Sequence, residues 1–120
     1  MGIEILVEKI KSHPDFSKVG MVLYHNGVVR ATTREGAEVT GLSVKVDYGK
    51  LDEIVAKGKS RPGIVEILVE IFDDRPLNVG EDVMYIAVAG DIRENVISAL
   101  TDTLDRIKSE ATSKLQFMKQ

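Results

Sequence analysis

The chain has no cysteine, which excludes disulfides, thiolate metal sites and any thiol nucleophile of its own. It also lacks an apolar run long enough to cross a membrane. The best candidate, residues 64–72, is interrupted by Glu66 and Glu70 and falls far short of about 20 apolar residues. The opening MGIEILVEKIK carries glutamates and has no signal-peptide cleavage pattern, so a cytoplasmic protein is expected. No strong excess of one charge is present, and a formal net charge of -3 is too mild for a nucleic-acid groove. Phosphate-binding glycine loops of the GxGxxG and Walker A kinds are missing, as is the HExxH zinc helix. His13 and His25 stand too isolated to propose as metal ligands, so neither a metal nor a cofactor is expected. Asp73-Asp74 before Arg75-Pro76 reads as a solvated turn rather than a pair of acid–base carboxylates.

What remains is ordinary globular material. With 43% hydrophobic and 29% charged residues, the 120 positions read as one domain, 1–120, large enough to bury a core. Basic residues gather at Lys45, Lys50, Lys57, Lys59 and Arg61, and again at Arg106, Lys108, Lys114 and Lys119. Such runs usually form solvated faces.

Ile3, Leu6, Val7 and Ile10 fall at helical spacing, and His13-Pro14 stops that helix. The β-branched runs 19–25 and 28–33, separated by Asn26-Gly27, predict a tight hairpin. A third strand is expected over 38–46 with a bulge at Gly41, then a helix capped by Asp47 and stopped by Gly58. After the Arg61-Pro62-Gly63 turn, Val65, Ile67, Val69 and Ile71 alternate along a strand whose edge a second copy of the chain can cover. Residues 82–89 show little polar alternation, which places that strand in the middle of the sheet. Asp91 and Glu94 resemble a capping box for a helix of about five turns, its buried stripe running from Ile92 through Val96, Leu100, Leu104 and Ile107 to Ala111. Short links between neighbouring strands predict an α+β fold, a largely antiparallel sheet packed with helices.

The segment from Gly80 to Lys114 carries the most chemistry: an apolar strand, a Gly-Asp turn, Arg93, a long helix, then lysines. A strand-to-helix junction aims backbone N–H groups and a positive dipole end outward, where an anion sits well. Arg93 is placed there against the dipole, so something other than helix stability holds it. Arg30 offers a rigid guanidinium fork for phosphate, and Lys108 a movable amine near the helix C-terminus.

In that order and spacing, Gly27-Val28-Val29-Arg30, Tyr48, the LNVGE segment 77–81, the strand VMYIAV, Arg93 and Lys108 resemble the large, catalytic subunit of molybdopterin synthase, as a divergent member of that family. The resemblance implies a molybdopterin synthase large-subunit-like fold of the α/β-hammerhead type, a homodimer, and a ubiquitin-like small subunit as partner. It further implies a sulfurtransferase of molybdenum cofactor biosynthesis. The thiocarboxylated C-terminus of the small subunit would give its sulfur to cyclic pyranopterin monophosphate, in two rounds, forming the molybdopterin dithiolene. A subunit that receives activated sulfur from a partner needs no thiol, which suits the absence of cysteine. Lys108 matches the principal catalytic lysine and Lys114 the second, at a step of six rather than seven; Arg30 and Arg93 would hold phosphate or the partner's terminal carboxylate. The chain departs from the family where Phe72-Asp73-Asp74 replaces a His-Arg pair and Ile92 replaces a histidine, with Arg75 and Lys119 as substitute cations. A charge-assisted hydrogen bond is worth about 1.5–3 kcal/mol, so these losses also admit an adaptor that binds the ubiquitin-like partner without catalysis.

Overall fold

The computed structural model describes residues 2–120 as a mixture of helices and antiparallel sheet, the class expected. The elements are α1 (Glu4–Lys11), β1 (Met21–Val28), β2 (Val39–Val46), α2 (Tyr48–Lys59), β3 (Ile64–Ile71), β4 (Leu77–Asn78), β5 (Asp82–Gly90), α3 (Arg93–Arg106), a π-helical turn at Ile107–Ala111, and β6 (Thr112–Met118). They form two three-stranded sheets, in the orders β1-β5-β3 and β4-β2-β6, antiparallel at every pairing.

β5 is central, as its uninterrupted apolar sequence predicts, and everything from Met84 to Gly90 is buried. Strand alternation divides its side chains between two clusters. Tyr85, Ala87 and Ala89 pack with Leu6 and Ile10 of α1, while Met84, Ile86 and Val88 join Ile54, Ile67, Val96 and Ile107 beneath α2 and α3. Complete burial of side chains this size contributes roughly 1.5–3 kcal/mol each.

The hairpin expected at Asn26-Gly27 does not form. β1 runs straight through it, with Asn26 opposite Tyr85 and Gly27 opposite Met84 of β5. An Asn-Gly pair tolerates positive φ without requiring it, and an eight-residue ladder against the buried central strand outweighs the local turn preference. The chain turns later, where Thr33 N–H donates to the Ala37 carbonyl at 2.8 Å and Gly36 takes φ +89°. Arg30 therefore lies on a loop, not on a strand.

Asp47 caps α2, its Oδ1 accepting from the Lys50 N–H at 3.1 Å. Gly58 does not stop that helix, which continues to Lys59. Its role is close approach: a Cβ there would sit 2.6 Å from Ile67 Cδ1 and 3.0 Å from Thr103 Oγ1. The capping box at α3 is also absent. Ile92 is the N-cap residue, and the Asp91 carboxylate instead accepts from the Ile92 N–H at 2.7 Å and from Asn95 Nδ2 at 2.9 Å. Gly41 is associated with a register shift between β2 and β6, the bulge expected of it.

The largest difference from expectation comes after the helix. The π-turn ends α3, and residues 112–118 return as β6 along β2. Asp47 N–H donates to the Ala111 carbonyl at 2.8 Å, fastening that junction to the end of β2. Lys108 rides on the π-turn and Lys114 on β6, so two lysines on different elements converge across the end of one sheet.

Candidate functional site

α3 runs back along β5, and it carries the π-turn to the end of the β1-β5-β3 sheet where β5 begins. There β1, β5, β2, the π-turn and β6 enclose a concavity of about 400 Å³, lined in part by His25, Met84, Val44, Lys108 and Lys114. A second concavity of about 420 Å³ adjoins it and adds Arg30, Thr32, Thr33, Glu35 and Gln116, Glu35 being its one carboxylate among the described residues. The two share Val28, Arg34, Leu42, Lys108 and Lys114, and together make one groove. The β6 residues that line it are Thr112, Lys114 and Gln116, opposite Val46, Val44 and Leu42. Their period of two is that of one strand face.

Arg30, Arg34, Lys108 and Lys114 thus border one open cleft, and all four are exposed. Among the described residues none of them has a carboxylate within ion-pair reach; the ion pairs engage other cations. Arg30 keeps only an internal bond from Nε to the Thr32 carbonyl at 2.9 Å, leaving its terminal nitrogens free for an anion. π-turns interrupt the α-helical ladder and recur at functional sites, where they re-aim side chains. Here the turn hands Lys108 to the groove while Ile107 and Ala111 stay buried.

The rim is held by polar bonds. Tyr85 hydroxyl donates to Asp82, whose other oxygen accepts from Asn26 Nδ2 at 3.1 Å. These bonds hold the Asp82 carboxyl below its usual range, the tyrosine bond first, and push the Tyr85 phenol up to about 12. The Asn26 bond clamps β1 to β5 beside the register shift at Gly27 and Val28, where the groove opens. Beyond it, Val29 N–H donates to the Glu81 carbonyl and Gly80 N–H to the Val29 carbonyl, both at 2.9 Å, so the chain entering Arg30 is anchored.

Of the residues singled out from sequence, Arg30, Lys108 and Lys114 come together. Arg93 does not join them. It is exposed at the opposite end of α3, some fifteen residues from Lys108, or about 22 Å at 1.5 Å per residue. The suggested substitutes are occupied elsewhere: Arg75 pairs with Glu81 at 3.1 Å and Lys119 with Glu38 at 3.6 Å. Asp73 lies outside the groove and accepts from the Tyr48 hydroxyl at 2.8 Å. Sequence reasoning missed Arg34, and His25, considered only as a metal ligand. Burial, and then the charge of Lys108, lower the His25 pKa from its ordinary 6.5.

An α+β fold of two antiparallel sheets with an uncompensated cationic groove at their junction defines the class, and it is the fold of molybdopterin synthase large subunits. The pattern of the family described as MoaE protein matches residues 3–110, and the chain belongs to that family. It is 28% identical over 118 residues to a protein of Haloferax volcanii described as a probable molybdopterin synthase, covering 90% of this chain and 43% of that one. The chain therefore spans less than half the length of this relative. A solved structure described as molybdopterin cofactor biosynthesis protein E from Burkholderia multivorans matches with TM-score 0.76 at 20% identity, over 99% of this chain and 86% of that one. A complex of subunits 1 and 2 of molybdopterin-converting factor from Helicobacter pylori matches with TM-score 0.74 at 16% identity, over 98% and 80%. These two likenesses concern the fold.

Proposed function

We propose that the chain is the catalytic subunit of a molybdopterin synthase and acts in molybdenum cofactor biosynthesis. The thiocarboxylated C-terminus of a ubiquitin-like small subunit enters the groove, and its sulfur passes to cyclic pyranopterin monophosphate, twice, to build the dithiolene. The observation that carries this reading is the set of cations without counter-ions around one cleft, in a chain of this family. Both reactants are anions. In this reading Arg30 and Arg34 hold phosphate or carboxylate oxygens by charge-assisted bonds, and Lys108 and Lys114 face the reacting sulfur and acyl group. The residues that depart most from the family pattern, Asp73, Asp74 and Ile92, are not among those lining the groove of their own chain. Arg93, remote from that groove, serves the same anion only from a second copy, which fits a homodimer.

The test is to combine the protein with thiocarboxylated small subunit and cyclic pyranopterin monophosphate and to assay for dithiolene. Product is expected. Binding of the small subunit without product would leave the adaptor reading in its place, and no binding would remove both.

A further inference from the structure

Sulfur bound to an acyl carbon leaves that carbon only when another nucleophile takes its place. In the reaction proposed above, the thiocarboxylate sulfur first bonds to a side-chain carbon of the pterin as that carbon's bond to oxygen breaks, the oxygen leaving with the phosphate or as water, and the small subunit stays attached through a thioester. Water must then add to the acyl carbon. The carbon–sulfur bond breaks, the sulfur remains on the pterin as a thiolate, and the partner departs as a carboxylate. Addition of water is slow without a base to take its proton, and neither a lysine ammonium nor an arginine guanidinium is a base.

We propose that His25 is the general base of this groove: its imidazole takes a proton from the water that attacks the acyl carbon, while Lys108 faces the departing thiolate. The inference rests on the sulfur-transfer reading and adds a residue to it. His25 lines the same concavity as Lys108 and Lys114. It lies on β1 opposite Ile86, with its Nε2 beside Gly27 two residues along the same strand face. Among the described residues it has neither a hydrogen-bond partner nor a carboxylate in ion-pair reach; the other histidine, His13, contacts Glu66 at 3.7 Å.

The surroundings favour an unprotonated ring. From the π-turn the charge facing it is Lys108, from β6 Lys114, and from the loop after β1 Arg34; β2 and β5 offer only Leu42, Val44, Val83 and Met84. Among the described residues no carboxylate lines that concavity; Glu35 lines the adjoining one. Asp82, at the β1–β5 rim, is committed to Tyr85 and Asn26. Burial first, and then the charge of Lys108, lower the imidazole pKa. At neutral pH the ring can accept a proton.

The test follows single turnovers of the wild type, His25→Gln and His25→Phe with thiocarboxylated small subunit and cyclic pyranopterin monophosphate, reading intact masses of the partner. Both variants should form the partner–pterin adduct at the wild-type rate within about twofold and release the acyl group about 100-fold more slowly, the low end for acid–base catalysis, so that the adduct accumulates. The rise of wild-type release with pH below neutrality should vanish in both. Release at the wild-type rate in either variant, or a persisting pH limb, overturns the proposal. So does slowing of adduct formation alone, which marks a structural role. A wild type that forms no adduct removes the sulfur-transfer reading and this inference together, whereas an active wild type matched by its variants removes only the inference. NMR titration of the His25 ring is independent of turnover: it should titrate below 6.5 and shift upward in Lys108→Met. A ring charged at neutral pH is incompatible with the role.

Discussion

Two concavities flank the C-terminal end of α3, and they treat similar side chains in opposite ways. One, of about 440 Å³, is bordered by Lys50, Lys57 and Arg106 together with Glu53 and Glu110. Carboxylates answer most of its charges: Lys50 reaches Glu53 and Glu110 at 3.6 Å each, and Arg106 bonds Asp102 through Nε at 3.1 Å, while Lys57 has no carboxylate in ion-pair reach among the described residues. The other is the groove of Arg30, Arg34, Lys108 and Lys114, where no such pairing occurs among the described residues. Three cations border the first and four the second, a small difference. What differs is whether the charge is already spent inside the molecule, and only the unpaired set offers an incoming anion a net gain.

The sharpest way to break this contrast is to remove one lysine from each side. Lys108→Ala should lower dithiolene formation by at least about 100-fold, the scale of losing a group that stabilises charge in the transition state. Lys50→Ala, on the paired side, should leave the rate within about twofold. Equal losses, measured as single-turnover rates at saturating small subunit, would show that the pairing pattern does not mark the site.

Charge reversal on β6 tests binding rather than chemistry. Lys114→Glu should weaken capture of a synthetic peptide bearing the C-terminal Gly-Gly carboxylate about tenfold at low salt, read by calorimetry. The difference should shrink as salt rises, because exposed charges are screened beyond about 10 Å at 0.1 M ionic strength. A loss that ignores salt would mean that β6 had been displaced instead.

A smaller effect is expected on the acid side of neutrality. The folded-state pKa of His25 lies below its ordinary 6.5, so between those two values the unfolded chain binds more protons than the native one. Stability from this group therefore rises with pH through that window and is lost as pH falls below 6.5. Denaturant melts across the window should show a shallower slope in Lys108→Met, which removes one of the two causes, and none from this group in His25→Phe.

How much of this was legible depends on whether local pattern and tertiary pairing agree. The central strand was readable because residues 82–89 show little polar alternation, and β5 is indeed buried on both sides. Lys108 was readable from its place late in the amphipathic run. Asn26-Gly27 misled because turn preference is local while the ladder to β5 joins residues about sixty apart. β6 was missed although Thr112, Lys114 and Gln116 alternate with Leu115 and Phe117, a period-two signal hidden by the helical stripe before it. His25 was set aside because histidine was tested only for metal; its period on β1, shared with Leu23 and Met21, points it toward the α2–α3 side.

The smallest effect belongs to the paired basin. Arg106 and Asp102 are both more than a third exposed, and their bond spans a single helical turn. Pairs of that kind stabilise by only about 0.3–0.5 kcal/mol, because water screens the charges and holding two long side chains costs entropy. Arg106→Ala should therefore lower the unfolding free energy by less than about 1 kcal/mol, by chemical denaturation. It should also leave small-subunit binding unchanged, although it deletes a full positive charge two residues from Lys108. A large loss of binding would mean that the net field around the end of α3 recruits the partner. An unchanged affinity would place recognition in the unpaired cations themselves.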